Sequence, residues 1–430
     1  MVLDPWSAAD GNIAWSFKLN GKAATVALRA HERDLFDLAA MVYVADELVP
    51  RSSGVDLWTR EINLALPVAE RASWEAAEPA LAQCLGFLSG DVYRFEWLDR
   101  PKTVPKGAIH KLRLRPGHDV VCLFSGGVDS LLGAAALLAE GRRVLLVGHH
   151  ADRITSSAQR DLFALLRQKY PGQASLLQVY LEQSRKRRQR YALPDKVEIS
   201  HRTRSFLFLV AGAVAASSTG IEPVYIPENG LIALNSPLGP SRRGTLSTRT
   251  THPRYLDLFK AAVTELGFTT RVENPFVHQS KTDMIQAVAD PDIRIALQRS
   301  VSCAHAGNLW REGPAFTHCG YCVPCLYRRA AFLGAGLNES GYQHDVFTEL
   351  PQLSPDKARD FRLLVRFAKA TEYASEIDLI ATVLRHGGFS GGPNGEDYTA
   401  RAAMLKRWAG SFMDLARLRA TPSTRRILGL

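Results

Sequence analysis

Residues 125–130 have the composition of a loop that binds phosphate. The string Ser-Gly-Gly-Val-Asp-Ser follows an apolar segment that predicts a strand over 120–124, and it precedes an Ala- and Leu-rich segment that predicts a helix. Two consecutive glycines allow main-chain N–H groups to approach a phosphate closely, and the helix dipole favours an anion there. The hydroxyls of Ser125 and Ser130 can donate further hydrogen bonds, and Asp129 can order the loop or help to hold Mg²⁺. Because no Gly-Lys-Ser/Thr string follows, the Walker A pattern is disfavoured, and an ordinary tight turn with a helix cap is the alternative.

Four closely spaced cysteines predict a metal centre. They are Cys303, Cys319, Cys322 and Cys325. A cytosolic chain keeps its thiols reduced, so a metal is favoured over disulfides. Four thiolates can hold Zn²⁺ in a closed tetrahedral site that has a structural role. An iron–sulfur cluster or no metal are the alternatives, and His305 and His318 lie close enough in sequence to replace a cysteine.

The composition and charge exclude several classes of protein. Of the 430 residues, 46% are hydrophobic and 22% charged, which excludes a disordered or low-complexity chain. The longest apolar run, 206–216, is too short to span a membrane, and no signal region is visible, so we expect a cytoplasmic protein. A net charge of +10 favours anionic partners. The basic run 184–190, with Arg242 and Arg243, is typical of a solvated loop beside a nucleotide site, and nucleic-acid contact is the less favoured alternative.

Changes of pattern along the chain predict four regions. Residues 1–115 contain short alternating strands, with an Asn-Gly hairpin turn at 20–21, and predict a small α+β accessory domain. Residues 116–300 alternate apolar strands with helices, which predicts an α/β domain with a doubly wound parallel sheet and a ligand site at the carboxyl ends of its strands. Residues 301–340 hold the cysteines, and residues 341–430 predict a helical region.

The loop and the cysteines together resemble one enzyme family. Residues 125–130 resemble the SGGxDS signature of the PP-loop ATP pyrophosphatases, which have an adenine nucleotide alpha hydrolase-like fold and cleave ATP between its α and β phosphates. The string Cys-Gly-Tyr-Cys-Val-Pro-Cys-Leu-Tyr-Arg at 319–328 resembles the CGxCxxCxxR zinc motif of the 7-cyano-7-deazaguanine synthases, the QueC family. Ser302-Cys303 and the Lys-containing segment 280–284 resemble further segments of that family. The likeness covers about residues 119–335.

Other features depart from a biosynthetic QueC enzyme. Fifteen residues separate Cys303 from Cys319, more than we expect for that enzyme. The family's Tyr-Pro-Asp-Cys-Arg string is absent, and segments 227–230 and 247–253 stand in its place. The longer layout resembles the QueC-like proteins of bacterial antiphage systems, such as QatC of Qat loci and its relatives in type IV CBASS. That resemblance implies a protein partner, a QatB-like acceptor, that is modified at its N-terminus with a 7-deazaguanine.

The resemblance also implies a reaction and a set of site residues. The enzyme would use ATP, with Mg²⁺ and Zn²⁺ bound, to adenylate the carboxylate of 7-carboxy-7-deazaguanine and pass the acyl group to an amine. The residues assigned to ATP are Ser125, Gly126, Gly127, Val128, Asp129, Ser130 and His149. Asp129 and Lys281 are assigned to catalysis, with Lys281 neutralising the departing pyrophosphate. The residues assigned to the deazaguanine are Glu228, Asn229, Asn235, Arg249 and His252. Lys281, His149 and the deazaguanine set each have a structural alternative, as capping, turn or core residues.

Three other functions stay open at the level of sequence. The chain could be a free-standing 7-cyano-7-deazaguanine synthase in queuosine biosynthesis. It could be a PP-loop enzyme that modifies tRNA by thiolation, which the basic run would suit. It could also be a non-catalytic scaffold that only binds a nucleotide.

Overall fold

A computed structural model describes most of the chain. The described residues are 13–24, 28–100, 117–150, 152–183, 193–194, 198, 202–235, 249–309, 316–339, 341–385 and 396–430. The basic run 184–190, Arg242 and Arg243 lie outside them.

Strands and helices alternate along the chain as the pattern predicts. Strands β1 to β9 are Ile13–Leu19, Lys22–Ala24, Glu61–Val68, Val92–Asp99, Val120–Leu123, Val144–His149, Ala174–Gln183, Val224–Tyr225 and Val272–Glu273. Helices α1 to α8 are Ala30–Leu48, Arg71–Ser89, Val128–Ala139, Arg153–Lys169, Arg204–Thr219, Gly230–Leu234, Pro253–Glu265 and Lys281–Gln286. Helices α9 to α16 are Pro291–Ala296, Ala306–Leu309, Val323–Gly334, Val346–Glu349, Pro355–Tyr373, Glu376–Arg385, Glu396–Arg419 and Pro422–Leu428. Within the described residues, none of the helices is both long and apolar enough to cross a membrane.

One mostly parallel sheet forms the centre of the molecule. In the described residues its strand order is β2-β1-β7-β6-β5-β8-β9, and the strands from β7 to β9 in that order pair in parallel. The order reverses at β5, because β6 and β7 extend to one side of it and β8 and β9 to the other. In doubly wound sheets, ligands bind outside the carboxyl ends of the strands at such a reversal. The predicted α/β class with a mainly parallel sheet is confirmed.

Helices cover both faces of this sheet, as strands with continuous apolar sequences require. On one face, α1, α5 and α7 pack against alternate strand residues such as Val121 and Leu145. On the other face, α3 and α4 pack against the intervening residues, such as Val120 and Leu146. Each such buried side chain contributes about 1.5–3 kcal/mol to folding. Helices α3 and α4, which follow β5 and β6, therefore lie on the opposite face from α5 and α7.

The first two strands belong to the central sheet. Strand β1 pairs antiparallel with β7, beginning with Ile13 opposite Gln183. Asn20 and Gly21, both at positive φ, form the predicted hairpin turn into β2. The alternating pattern of residues 1–115 predicts an accessory domain that contains these strands, but the central sheet and its apolar core include residues on both sides of residue 115. The accessory domain stays a prediction, and no local pattern indicates this shared sheet.

A buried network of ion pairs connects the other N-terminal elements to the central domain. Arg60 is 1% exposed and donates to Asp46 of α1 at 2.5 Å and to Asp91, just before β4, at 2.6 Å. Arg51 donates to Asp91 at 3.0 Å. Asp46 also accepts from the backbone N–H of Thr203, the residue that caps α5, at 2.9 Å. Buried charges are tolerated only when they are paired, so this network fixes α1, β3 and β4 against α5.

The C-terminal helices share an apolar core of their own. Phe361, Trp408 and Phe412 pack together between α13 and α15. Leu231 and Leu234 of α6 belong to the same core. Helices occupy this region of the structure, and they pack directly against the segment that follows β8.

Asp91→Ala is expected to destabilise the protein by about 3–5 kcal/mol, because the variant leaves buried guanidinium groups without one of their carboxylates. Glu75→Ala removes the exposed partner of Arg71, and its expected cost is only about 0.5 kcal/mol. Urea denaturation followed by circular dichroism measures both changes. Equal losses of stability in the two variants would contradict the role assigned to the network.

Candidate active site

The predicted phosphate loop connects β5 to α3 at the carboxyl edge of the sheet. Gly127 caps α3, which begins at Val128. Gly126 has a φ of +84°, a left-handed conformation that glycine adopts without strain. The Ser125 hydroxyl accepts from the Gly127 N–H at 3.4 Å and lies 3.3 Å from the Ser130 hydroxyl. The strand–loop–helix arrangement that binds anions is therefore present.

A buried glutamine that the sequence analysis missed holds one side of the loop. The Gln159 Nε2 donates to the carbonyl oxygens of Ser125 at 3.3 Å and of His149 at 3.1 Å, and so ties the loop to the end of β6. A Cβ on Gly126 would lie 3.0 Å from the Gln159 backbone nitrogen and 3.1 Å from the Thr155 carbonyl oxygen. Position 126 therefore requires glycine, both for its left-handed backbone and for the close approach of α4 to the loop. A glutamine within a helix carries no sequence signal of such a role.

A charged cluster lies beside the loop. Asp129, in the first turn of α3, is 5% exposed and forms an ion pair with Lys281 at the start of α8. Asp129 Oδ2 accepts from the side-chain nitrogen of Asn229 at 2.6 Å and from its backbone N–H at 3.2 Å. Glu228 also shares a hydrogen bond with the Asp129 carboxyl. The segments that follow β5, β8 and β9 thus meet at one buried carboxylate, at the reversal of strand order.

Burial and proximity set the protonation states of this cluster. Burial alone would raise the pKa of Asp129, but the Lys281 ammonium and the surrounding hydrogen bonds lower that pKa below its usual value. Burial, and then the charge of Asp129 and the hydrogen bond to it, raise the pKa of Glu228 well above its usual value. Asp129 is therefore the more acidic of the two carboxyl groups, and the Lys281 ammonium lies against its charge.

The two carboxyl groups fit a magnesium ion chemically. Mg²⁺ takes oxygen ligands, commonly one or two carboxylates together with phosphate oxygens of a substrate. Asp129 and Glu228 would supply the carboxylates. The Mg²⁺ site expected at Asp129 stays a prediction.

Lys281, the first residue of α8, is buried rather than solvated. Ser280 caps α8 in a capping box with Asp283, so the backbone at the helix start does not need the lysine. Lys281 itself is 6% exposed, and its ammonium contacts Asp129. The alternative role considered for Lys281, a solvated lysine at a helix start, does not fit this buried position.

Two further predicted residues stand at the ends of elements, His149 at the end of β6 and Asn235 at the end of α6. His149 ends β6, is 4% exposed, and packs edge-on against Tyr43 of α1 with 5.5 Å between ring centroids. Its carbonyl oxygen shares the Gln159 amide with the phosphate loop. Asn235 ends α6 in the left-handed conformation. Their contacts with ATP and with the deazaguanine stay predictions.

Arg249 and His252 contact α2 instead. Arg249 donates to the carbonyl oxygen of Phe87 at 2.7 Å, and its guanidinium lies 4.4 Å from the centre of the Phe87 ring. His252 caps α7, and its ring lies 5.4 Å from that of Phe87. The structure therefore brings Glu228 and Asn229 to the loop and places Arg249 and His252 against the N-terminal elements. Their substrate roles stay predictions.

The four predicted cysteines converge on one point. The sulfur atoms of Cys303, Cys319, Cys322 and Cys325 all lie within 4.8 Å of one another. The Sγ atoms of Cys322 and Cys325 are 3.3 Å apart, and those of Cys319 and Cys325 are 3.9 Å apart. Tetrahedral Zn²⁺ with bonds of about 2.3 Å separates its sulfur ligands by roughly 3.8 Å. The set therefore fits a structural zinc ion, and the His305 Nδ1 lies outside it, 3.4 Å from the Cys319 sulfur.

Two residues join the cysteine cluster to the phosphate loop. The Val301 N–H donates to the Gly126 carbonyl oxygen at 2.9 Å. A Cβ on Gly127 would lie 3.4 Å from the Val301 carbonyl oxygen and 3.6 Å from the Ser302 hydroxyl. The next carbonyl oxygen, that of Ser302, lies 3.6 Å from the Cys325 sulfur, and Ser302 itself directly precedes Cys303 of the cluster. The loop is thus held by Gln159 on one side and by the cysteine cluster on the other.

Comparison with known proteins supports the resemblance that the motifs carry. A 7-cyano-7-deazaguanine synthase of Methanothrix thermoacetophila (strain DSM 6194 / JCM 14653 / NBRC 101360 / PT) is 26% identical to this chain over 244 residues, which are 52% of this chain and 98% of that protein. The chain is similar to a deazaguanine synthase. About half of the chain lies outside this similarity, and no family model matches the chain.

Gly126→Ala is expected to weaken ATP binding about tenfold or more, because the added Cβ forces the loop away from Gln159 and strains a left-handed residue. Gly141→Ala is the matched control. Gly141 has a φ of +80° but no atom within 4 Å of a built Cβ. Calorimetric titration with ATP compares the two variants, and the same affinity in both would contradict the close-approach argument.

Loss of the metal is expected to weaken ATP binding as well, because Cys303 of the cluster lies two residues after Val301, which donates to the loop. Cys322→Ser should release one bound zinc ion per chain and reduce ATP affinity. Cys84→Ser replaces a buried thiol outside the cluster and should retain both. Elemental analysis by mass spectrometry and ATP titration measure the two effects. Unchanged ATP affinity in a metal-free Cys322→Ser protein would refute the coupling.

Proposed function

We propose that this chain is a QueC-like, ATP-dependent enzyme that joins the carboxylate of a 7-deazaguanine to an amine. The observation that carries the proposal is the cluster of Asp129, Glu228, Asn229 and Lys281 beside the phosphate loop. The similarity to a 7-cyano-7-deazaguanine synthase supports the substrate class.

The first step would activate the carboxylate. A carboxylate oxygen attacks the α phosphorus of ATP, the bond between the α phosphorus and its bridging oxygen breaks, and pyrophosphate leaves. Negative charge accumulates on that leaving group, and the main-chain N–H groups of residues 125–130 and the Lys281 ammonium would stabilise it. Mg²⁺, when held by Asp129 and Glu228, would neutralise further phosphate charge.

The second step would form the C–N bond. The amine nitrogen attacks the carbonyl carbon of the acyl adenylate, the bond from that carbon to the AMP oxygen breaks, and the amine loses a proton to solvent or to a nearby base. AMP is a far better leaving group than oxide, which is why the first step must precede the second. Zn²⁺ in the cysteine cluster would take no part in this chemistry, because four thiolates leave no open position.

We further propose that the amine is the N-terminus of a partner protein, a QatB-like acceptor in antiphage defence of the QatC type. Support comes from the half of the chain outside the similarity, part of which packs beside the active site. The Met404 sulfur of α15 would lie 2.3 Å from a Cβ on Gly230, the residue after Asn229. Arg407, also of α15, forms an ion pair with Asp283 of α8 at 3.1 Å. The added helices thus adjoin both segments that contact Asp129, where a docked chain could reach an acyl adenylate.

Ammonia is the second candidate acceptor. The similar protein is named a 7-cyano-7-deazaguanine synthase, and a nitrile requires nitrogen from ammonia followed by dehydration of the resulting amide. This candidate requires no docking surface.

The proposed function predicts AMP and pyrophosphate release that depends on 7-carboxy-7-deazaguanine. Lys281→Met should reduce this rate about 100-fold or more, since it removes the cation beside the leaving group. Lys260→Met removes an exposed lysine on α7 and should leave the rate unchanged. Because Lys281→Met also unpairs buried Asp129, Ser125→Ala is a second test at an exposed side chain, with a smaller loss expected. Activity that does not depend on the deazaguanine, or that survives in all three variants, would overturn the proposal.

A separate measurement identifies the acceptor. Intact-mass measurement of a co-expressed partner should show one added deazaguanine acyl group on its N-terminal residue. Free nitrile formed rapidly with ammonia, and an unmodified partner, would instead establish the second candidate.

A further inference from the structure

A groove lies on the α4 side of the sheet, away from the phosphate loop. Its volume is about 470 Å³, which is within the range of sites for small molecules. Asn20 and Gly21 of the hairpin form one wall, Arg160 and Arg167 of α4 form the other, and Leu176 and Gln178 of β7 form the floor. The groove opens towards the amino end of β7, whereas the phosphate loop follows the carboxyl end of the parallel strand β5.

The wall formed by α4 carries uncompensated positive charge. Arg160 and Arg167 are seven positions apart, so their side chains leave the same face of the helix. In the part of the chain that the structure describes, neither guanidinium has an ion pair or a hydrogen bond. Lys18 of β1 lies directly opposite Gln178, above the ring of Tyr180 at 4.2 Å. Besides burial, the charges of Arg160 and Lys18 lower the pKa of nearby His150.

The floor contains a buried polar atom without a partner. Gln159 Nε2 faces two carbonyl oxygens, which fixes its amide, and its Oε1 accepts from Gln178 Nε2 at 2.9 Å. The Gln178 Oε1 then points away from this bond. It is buried and has no hydrogen-bond partner among the described residues. An unsatisfied buried acceptor costs about 1–3 kcal/mol, and a ligand with an N–H or O–H donor at the floor would relieve that cost.

We infer that this groove is a second ligand site, and that it binds a nucleoside monophosphate. The guanidinium groups of Arg160 and Arg167 would bind the phosphate, for which their planar donors are suited. A hydroxyl or amino group of the nucleoside would donate to Gln178 after a small shift of that side chain. Nothing in this assignment depends on the proposed reaction at the phosphate loop.

The position of the site gives it a route to the phosphate loop. Gln178 contacts Gln159, and Gln159 contacts the Ser125 carbonyl oxygen. A ligand that moves Gln178 therefore acts on the residue that positions the loop. Occupancy of the groove would change the affinity of the loop for ATP, and by linkage ATP would change the affinity of the groove by the same factor.

Photolabelling with 8-azido-AMP, followed by mass spectrometry of the peptides, tests the site by location. Labels are expected on residues 160–178 as well as near the phosphate loop. Arg160→Gln combined with Arg167→Gln should raise the half-saturating concentration for groove labelling at least tenfold, which corresponds to about 1.4 kcal/mol. Labelling near the phosphate loop should persist. Arg362→Gln combined with Arg366→Gln, an equal change of charge on the exposed face of α13, should leave groove labelling unchanged.

Several outcomes would overturn the inference. They are an absence of label on residues 160–178, groove labelling that the Arg160 and Arg167 variant does not weaken, and displacement of the label by a uridine oligonucleotide at far lower phosphate concentration than by AMP. The last result would identify a nucleic-acid surface instead. A protein that fails to release pyrophosphate but labels in the groove would refute the proposed function alone.

Discussion

The need to compensate one buried carboxylate governs the arrangement of the active site. A buried charge costs several kcal/mol unless it is paired and hydrogen-bonded. Because the first turn of α3 fixes the position of Asp129, other segments of the chain must supply the groups that compensate its charge. Lys281 lies in the segment after β9, and Asn229 and Glu228 lie in the segment after β8. Charge balance thus holds three chain segments together around the reversal of strand order.

The phosphate loop itself is held by neighbours of different chemistry. On one side, an amide group of α4 bridges the loop and the end of β6. On the other side, Val301 donates to the loop, and the adjoining residue contacts the cysteine cluster. Neither contact uses the N–H groups of Gly127 and Val128 at the start of α3. Because these contacts already fix the loop, it loses little further conformational entropy when it binds an anion, which is the general advantage of preorganised sites.

The sequence was informative where function depends on a short string. The phosphate loop and the cysteines follow from local spacing, and Glu228 and Asn229 follow from their place after a predicted strand. Contacts that depend on long-range packing could not be predicted in this way. Gln159 looks like an ordinary helical glutamine, and nothing in the sequence indicates that Arg249 contacts Phe87 of α2. Helix α1 escaped prediction because acidic residues that are buried in the structure, such as Asp34 and Asp37, interrupt its apolar periodicity.

The antiparallel pairing of β1 with β7 has a consequence for biosynthesis. Ile13 meets Gln183, so the first strand leaves the ribosome with its partner still untranslated. At about 5–20 residues per second, that interval is on the order of ten to thirty seconds. During it, β1 can pair only with the short strand β2, and its other edge, which later pairs with β7, stays open. The nascent protein must therefore carry an exposed strand edge through much of its translation, a period in which chaperone binding and premature aggregation compete.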